Sequence, residues 1–276
     1  MSNIRSTTDR FRLDNYQQKV IKWLSPPDSS INYNEALKQR HQGSGLWFLH
    51  HDIFTRWKTR PNSFLWLYGI PGCGKTILSS AIIENLDRNI SHSRVLLYFY
   101  FNFNDTSKQS LDSMIRSLIS QLYHKREDTR KHLDSLFSSC DNGDRQPATE
   151  SLCKSLLLMT QQTDEVWIVL DALDECRTRK GTEIGGLLSW MKGLLSVPRN
   201  AHLLITSRRE EDIESALTEW APIEDMMCIQ SKLVTDDIRG YVYDRIREGD
   251  GFRRWQSWPK VQKEIETSLV EKADGM

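Results

Sequence analysis

The feature that most constrains this chain is Gly69-Ile70-Pro71-Gly72-Cys73-Gly74-Lys75-Thr76. An apolar run, Phe64 to Tyr68, precedes it, and Ile77-Leu78 with Ala81-Ile82-Ile83 follow at helical spacing. Strand, glycine-bearing turn and helix in direct succession match the phosphate-binding pattern G-x-x-x-x-G-K-T. Glycines that reach positive φ let consecutive backbone N–H groups wrap an anion at a helix N-terminus. Gly69, Pro71, Gly72, Cys73 and Gly74 form that loop, Pro71 shaping it without an N–H of its own. Lys75 adds a point charge for β- and γ-phosphates, and Thr76 offers its hydroxyl to Mg2+.

Further apolar runs fall at 94–103, 166–170 and 202–206, with a weaker one at 226–229. Together with 64–68 they make five strands. The runs are too continuously apolar for strands with a solvated face, so they belong to a sheet covered on both sides. Helical patterns separate them at 110–123, 130–137, 147–161, 184–195 and 211–217, and Pro198-Arg199-Asn200 reads as a turn. Strands alternating with helices predict an α/β fold, a three-layer α/β/α arrangement around a mainly parallel five-stranded sheet. Ahead of it, the pattern predicts a helix over 10–24, a polar loop from Ser25 to Gly45 with weak helical character around Glu35 to Gln39, and one amphipathic helix over 46–57. Beyond Lys232 the chain reads as helical, over 236–247 and 260–273, with a loop over 249–259 between them. The domain reading is therefore an N-terminal helical segment (1–60), a nucleotide-binding core (61–231) and the start of a C-terminal helical subdomain (232–276).

Two strand ends carry further chemistry. Val166 to Leu170 runs into Asp171-Ala172-Leu173-Asp174-Glu175. An acid at the tip of a neighbouring strand holds Mg2+ in phosphate-loop proteins, which fits Asp171. Asp174 and Glu175 lie just beyond, where a carboxylate can orient or deprotonate a water. Leu203 to Thr206 leads to Ser207-Arg208-Arg209. A guanidinium just past a strand tip can reach a γ-phosphate and sense it; Arg208 is the first candidate and Arg209 the weaker one. Cys73, two residues before Lys75, invites a second idea: a thiol at a helix N-terminus whose oxidation blocks nucleotide entry.

Composition narrows the class. Lys plus Arg and Asp plus Glu balance at 37 each, and no basic stripe appears, which speaks against a nucleic-acid partner. The five cysteines are scattered without a C-x-x-C pair, as in reduced intracellular proteins, and His50-His51 read as surface residues. The polar start and the lack of a long apolar run predict a cytoplasmic protein with no transmembrane segment.

Taken together, G-I-P-G-C-G-K-T, V-W-I-V-L-D-A-L-D-E-C and L-L-I-T-S-R-R resemble the NACHT-type branch of the signal-transducing (STAND) P-loop NTPases, closest to fungal and nephrocystin-like members. The likeness extends to Gly43 to Leu49, to Phe99 to Asp105 with the helix that follows, and to Glu271 to Met276. It implies that the Arg208 strand lies between the phosphate-loop strand and the Asp171 strand. It also implies a switch: ATP or GTP bound with Mg2+, slow hydrolysis, and self-association or protein partners in a signalling complex. In fungal members the setting is heterokaryon incompatibility, nonself recognition and programmed cell death. Base contacts are implied for the segment around Arg40 to Gly45. Family members continue into a winged-helix lid and a repeat sensor; this sequence shows no repeat period and reads as a fragment or a short member. A scaffold that binds nucleotide without turnover and a phosphoryl transferase are the competing functions.

Overall fold

The computed structural model describes residues 2–89, 94–181, 186–196 and 200–273. Its centre is a five-stranded, wholly parallel sheet. The strands are β1 (Ser63–Tyr68), β2 (Arg94–Tyr100), β3 (Glu165–Asp171), β4 (Asn200–Ser207) and β5 (Met226–Cys228), ordered β2-β3-β4-β1-β5. The Arg208-bearing strand β4 therefore separates β1 from β3, as the resemblance implied. The strand alternation sorts the core into two faces. Phe64 and Trp66 of β1 join Val166, Ile168 and Leu170 of β3 in one apolar cluster. Leu65 and Leu67 join Trp167 and Val169 in the other.

Helices cover both faces. On one side lies α5 (Lys75–Arg88), flanked by α2 (Ser30–Gln39), α3 (Leu46–Leu49) and α4 (Asp52–Thr59). On the other are α6 (Leu111–Lys125), α7 (Arg130–Ser139), α8 (Thr149–Thr160), α9 (Leu187–Ser196) and α10 (Glu211–Thr218), joined by the end of α1 (Ser2–Leu24). α6 shows why such helices dock: Leu111, Met114, Ile115, Leu118, Ile119 and Leu122 recur at i, i+3 and i+4, and all are buried. Two last helices, α11 (Ser231–Glu248) and α12 (Pro259–Ala273), pack on each other after β5. No described helix is long and apolar enough to cross a membrane.

Several sequence expectations need correction. The weak helical character around Glu35 to Gln39 is the end of a full helix, α2, which starts at Ser30, buries Ala36 and packs on α5. The single helix expected over 46–57 is two, α3 and α4. His50 closes the first, and the imidazole of the exposed His51 accepts from the Ile53 N–H at 3.1 Å, starting the second. α11 begins five residues earlier than its apolar pattern, and Asp250–Trp255 is a 3-10 turn. The start of the helix expected at 184, the Pro198-Arg199 turn and the family-like Asp274 to Met276 lie outside the described residues.

Topology places the chemistry. In a parallel sheet all strands end at one edge, and ligands bind in the crevice there, where the chain reverses its order of winding. β1 is followed by β2 at the far edge, while β3 and β4 wind back towards β1. The loops after β1, β3 and β4, which carry the motifs, therefore share one edge. Leu65, fully buried in the inner strand β1, should cost about 2–5 kcal/mol when cut to alanine. Ile31, 53% exposed, should cost within about 0.5 kcal/mol. Urea unfolding of both variants checks the contrast.

Candidate functional site

The loop after β1 is anchored by the Gly69 N–H, which donates to the Ser207 carbonyl at 3.2 Å and ties the phosphate loop to the end of β4. Gly72 and Gly74 lie at φ 80° and 85°, and a Cβ added to either would meet no atom within 4 Å. The loop thus curls around open space. α5 begins at Lys75 with no side-chain cap, so its first-turn N–H groups are offered to whatever fills that space. The Lys75 ammonium donates to the Gly69 and Ile70 carbonyls at 2.9 and 2.8 Å and lies 3.7 Å from the Cys73 sulfur. Cys73 itself is buried, with 8% exposure.

Asp171 ends β3 and is enclosed. Three hydroxyls converge on its carboxylate: Thr76 Oγ1 donates to Oδ2 at 2.7 Å, and Ser79 Oγ and Thr206 Oγ1 donate to Oδ1 at 2.6 Å each. Thr76 and Ser79 are one helical turn apart on α5, so both face the same strand tip. Burial nevertheless raises the Asp171 pKa above the ordinary carboxylate value; the three hydroxyls and the charge of Lys75 oppose that rise. A carboxylate, a threonine hydroxyl and an adjacent ammonium at an anion cradle form a donor set that fits a Mg2+-bound polyphosphate.

The next turn divides the two acids expected to act on water. Ala172 takes φ 56°, and a 3-10 turn, Leu173–Glu175, follows. Asp174, 8% exposed, accepts from the Arg208 backbone N–H at 2.9 Å and from its Nε at 2.6 Å. Those hydrogen bonds, and then Asp174's charge, raise the Arg208 pKa further. Asp174 therefore aims Arg208. Glu175 instead accepts the Phe103 N–H at 2.8 Å, and burial raises its pKa above the usual glutamate value despite that bond. Arg209 points its charge elsewhere, into a pair with Glu214 at 2.5 Å. Arg179 bonds the Asp174 carbonyl, pairs with Glu210 at 2.7 Å and with Asp212 at 3.2 Å, and so fastens the β3 turn to the start of α10.

Beside the loop opens a cleft of about 610 Å³ lined by His41, Gly45, Trp47, Cys73, Asp237 and Tyr241, among others. One wall is the 40–45 strap, pinned to α5 by the Arg40–Glu84 ion pair. Gly45 lets the strap lie against that helix, since a Cβ there would sit 3.0 Å from the Ala81 Cβ. The opposite wall is α11. Asp237 accepts the Gly45 N–H at 2.7 Å, and His41 and Asp244 meet at 2.5 Å. Burial raises the Asp237 pKa, opposed by its bonds to Gly45 and Trp47.

The profile of the family described as "Nephrocystin 3, N-terminal" matches residues 43–208, from the strap to the Arg208 end of β4. The chain belongs to this family. Similarity to individual curated relatives can also be traced. The nephrocystin 3 N-terminal-type chain is 40% identical over 61 residues to the proteasome-associated ATPase of Actinosynnema mirum, covering 22% of this chain and 10% of that protein. It is 23% identical over 270 residues to the proteins of the same name from Mycolicibacterium gilvum and Mycolicibacterium smegmatis, covering 89% of this chain and 40% of each. The chain thus spans two fifths or less of the length of these relatives.

The structure brings Lys75, Thr76, Asp171, Asp174, Glu175 and Arg208 to one sheet edge. Sequence reasoning missed Ser79, Thr206, Arg179 and the Phe103 N–H. Ser79 was legible as Thr76 plus one turn, and Thr206 as the β4 residue two places before Arg208. The Phe103 amide carries no sequence signal. Replacing Thr206 with valine removes one donor from an ionised carboxylate, which should cost about 1.5–3 kcal/mol near pH 8, and also the acceptor that takes the Ala172 N–H at 3.1 Å. The lost bond favours the charged form, so the substitution raises the folded pKa of Asp171 still further. The carboxylate part of the cost should therefore be full above that pKa and shrink as pH falls through it, while the part from Ala172 stays; urea unfolding across an acid series checks the sign.

Proposed function

We propose that this chain is a Mg2+-dependent nucleoside-triphosphate switch of the NACHT and STAND type, with slow hydrolysis. The observation that most supports the reading is the Thr76–Asp171 hydrogen bond at 2.7 Å, which joins the helix of the phosphate loop to the acid at the next strand tip but one. In this reading Gly69 and Pro71 shape the loop, the amides of Gly72, Cys73 and Gly74 with Lys75 hold the phosphates, and Thr76 with Asp171 would hold Mg2+. The cation, when bound, neutralises charge on the β- and γ-oxygens. The relatives' name, ATPase, favours ATP over GTP. Residues 61–231 are the nucleotide core, and α11 is the first part of a lid whose side chains form the wall of the base cleft opposite the strap. Self-association and a role in nonself recognition or cell-death signalling follow from the NACHT reading.

The two acids then divide the labour. Glu175 takes a proton from the attacking water, a role that its raised pKa suits. Asp174 holds Arg208 ready for the γ-phosphate. Moving a two-state equilibrium from 1:99 to 99:1 takes about 5.5 kcal/mol of differential binding. Two or three charge-assisted contacts at about 1.5–3 kcal/mol each supply it.

Calorimetry with ADP and ATP tests the sensor. Arg208→Ala should leave ADP affinity nearly unchanged and weaken ATP by about 10- to 100-fold; equal losses would remove Arg208 from that role. Single-turnover rates test the base. Glu175→Gln should slow hydrolysis by about 100-fold or more, and Asp174→Asn should act chiefly on ATP affinity. Since the base must be ionised and its pKa is raised, the wild-type rate should fall on acidification at a pH above the ordinary glutamate range. A rate unchanged by Glu175→Gln would leave a binding scaffold as the better description.

A further inference from the structure

The hydroxyl of Tyr100 is enclosed, with 1% of the residue exposed, and has no hydrogen-bond partner among the described residues. A buried hydroxyl in that condition is destabilising, and phenylalanine would fill the same space without it. Its position is informative. Tyr100 ends β2 in register with Asp171 on β3, so the two side chains leave the sheet on the same face. That face is the one under α5, where Tyr100 packs with Ile82, Trp167 and Val169. Asp171 has already committed Oδ1 to Ser79 and Thr206, and Oδ2 to Thr76 alone. A carboxylate offers about four acceptor directions, which leaves one on Oδ2, the oxygen beside the hydroxyl assigned to the cation. Burial and the neighbouring Asp171 charge both keep Tyr100 a neutral phenol.

We propose that Tyr100 is a positioning residue of the cation site: its hydroxyl and the spare acceptor of Asp171 together hold a water of the divalent cation's hydration shell. The proposal rests on the phosphate-loop reading above. Mg2+ dehydrates reluctantly and keeps several waters in such sites. A metal-bound water is a strong double donor; it would donate one hydrogen bond to the carboxylate and one to the phenol oxygen. Phenylalanine at this place would leave that water with a single anchor.

The test is Tyr100→Phe, with fluorescent ATP and GTP analogues titrated at increasing Mg2+ and again in EDTA. Loss of an outer-shell partner lowers metal affinity about 10- to 100-fold, so the Mg2+ concentration for half-maximal tightening should rise by at least about tenfold. Affinity in EDTA should stay at the wild-type value, and thermal melting without nucleotide should be unchanged or higher. An unchanged Mg2+ midpoint would overturn the proposal and leave Tyr100 with a structural water only. A wild-type protein that binds nucleotide with no response to Mg2+, or binds none, would overturn the phosphate-loop reading and this proposal with it.

Discussion

The buried carboxylate of Asp171 is the constraint on which the rest depends. Taking a charge out of water is costly unless hydrogen bonds replace the lost hydration. Here three hydroxyls do so, two from α5 and one from β4. Those bonds fix the rotation of α5 over the sheet, and with it the direction in which Lys75 and the first-turn amides face. They also set β4 against β3 at the height where Arg208 leaves the sheet. Helix orientation, strand register and the placing of a cation site are one solution to one electrostatic problem.

A second network, built on Asp174, extends the first outward. Its carboxylate takes two donors from Arg208, its carbonyl takes one from Arg179, and Arg179 continues to Glu210 and Asp212. The acidic turn after β3 is thereby joined to the start of α10. Two adjacent acids acquire different chemistry from their surroundings alone. Asp174 is paired with Arg208 through its backbone N–H and its guanidinium. Glu175 has one amide donor and is pushed towards protonation by burial.

The sheet and the motif-bearing residues were legible because their signals are local. Continuous apolar runs mark strands covered on both faces, and Gly69 to Thr76 states its geometry in eight consecutive letters. Asp171 and Arg208 were legible because each ends such a run. What the sequence hid depends on contacts between distant segments. α2 showed only weak helical character around Glu35 to Gln39 because little of it is buried, and its helical state rests on packing against α5. The break between α3 and α4 turns on His51 acting as a cap, which residue type alone does not announce. The division between Asp174 and Glu175 was invisible, since both are acids in one turn and only Arg208 and Phe103 tell them apart.

The strand order has a consequence for how the chain acquires its shape during synthesis. β1 is the second strand from one edge, yet both its neighbours come late: Ser63 and His202 pair across 139 residues, and Trp66 pairs with Met226. The first strand made therefore waits as an unpaired apolar ribbon while most of the chain emerges. Pairings this distant in sequence are slow and leave hydrophobic surface open in the meantime. The phosphate loop cannot take its shape before β4 arrives, because the Gly69 amide needs the Ser207 carbonyl. A nascent chain gains its anion cradle only when its sheet is nearly closed, so the cradle is a readout of completed folding.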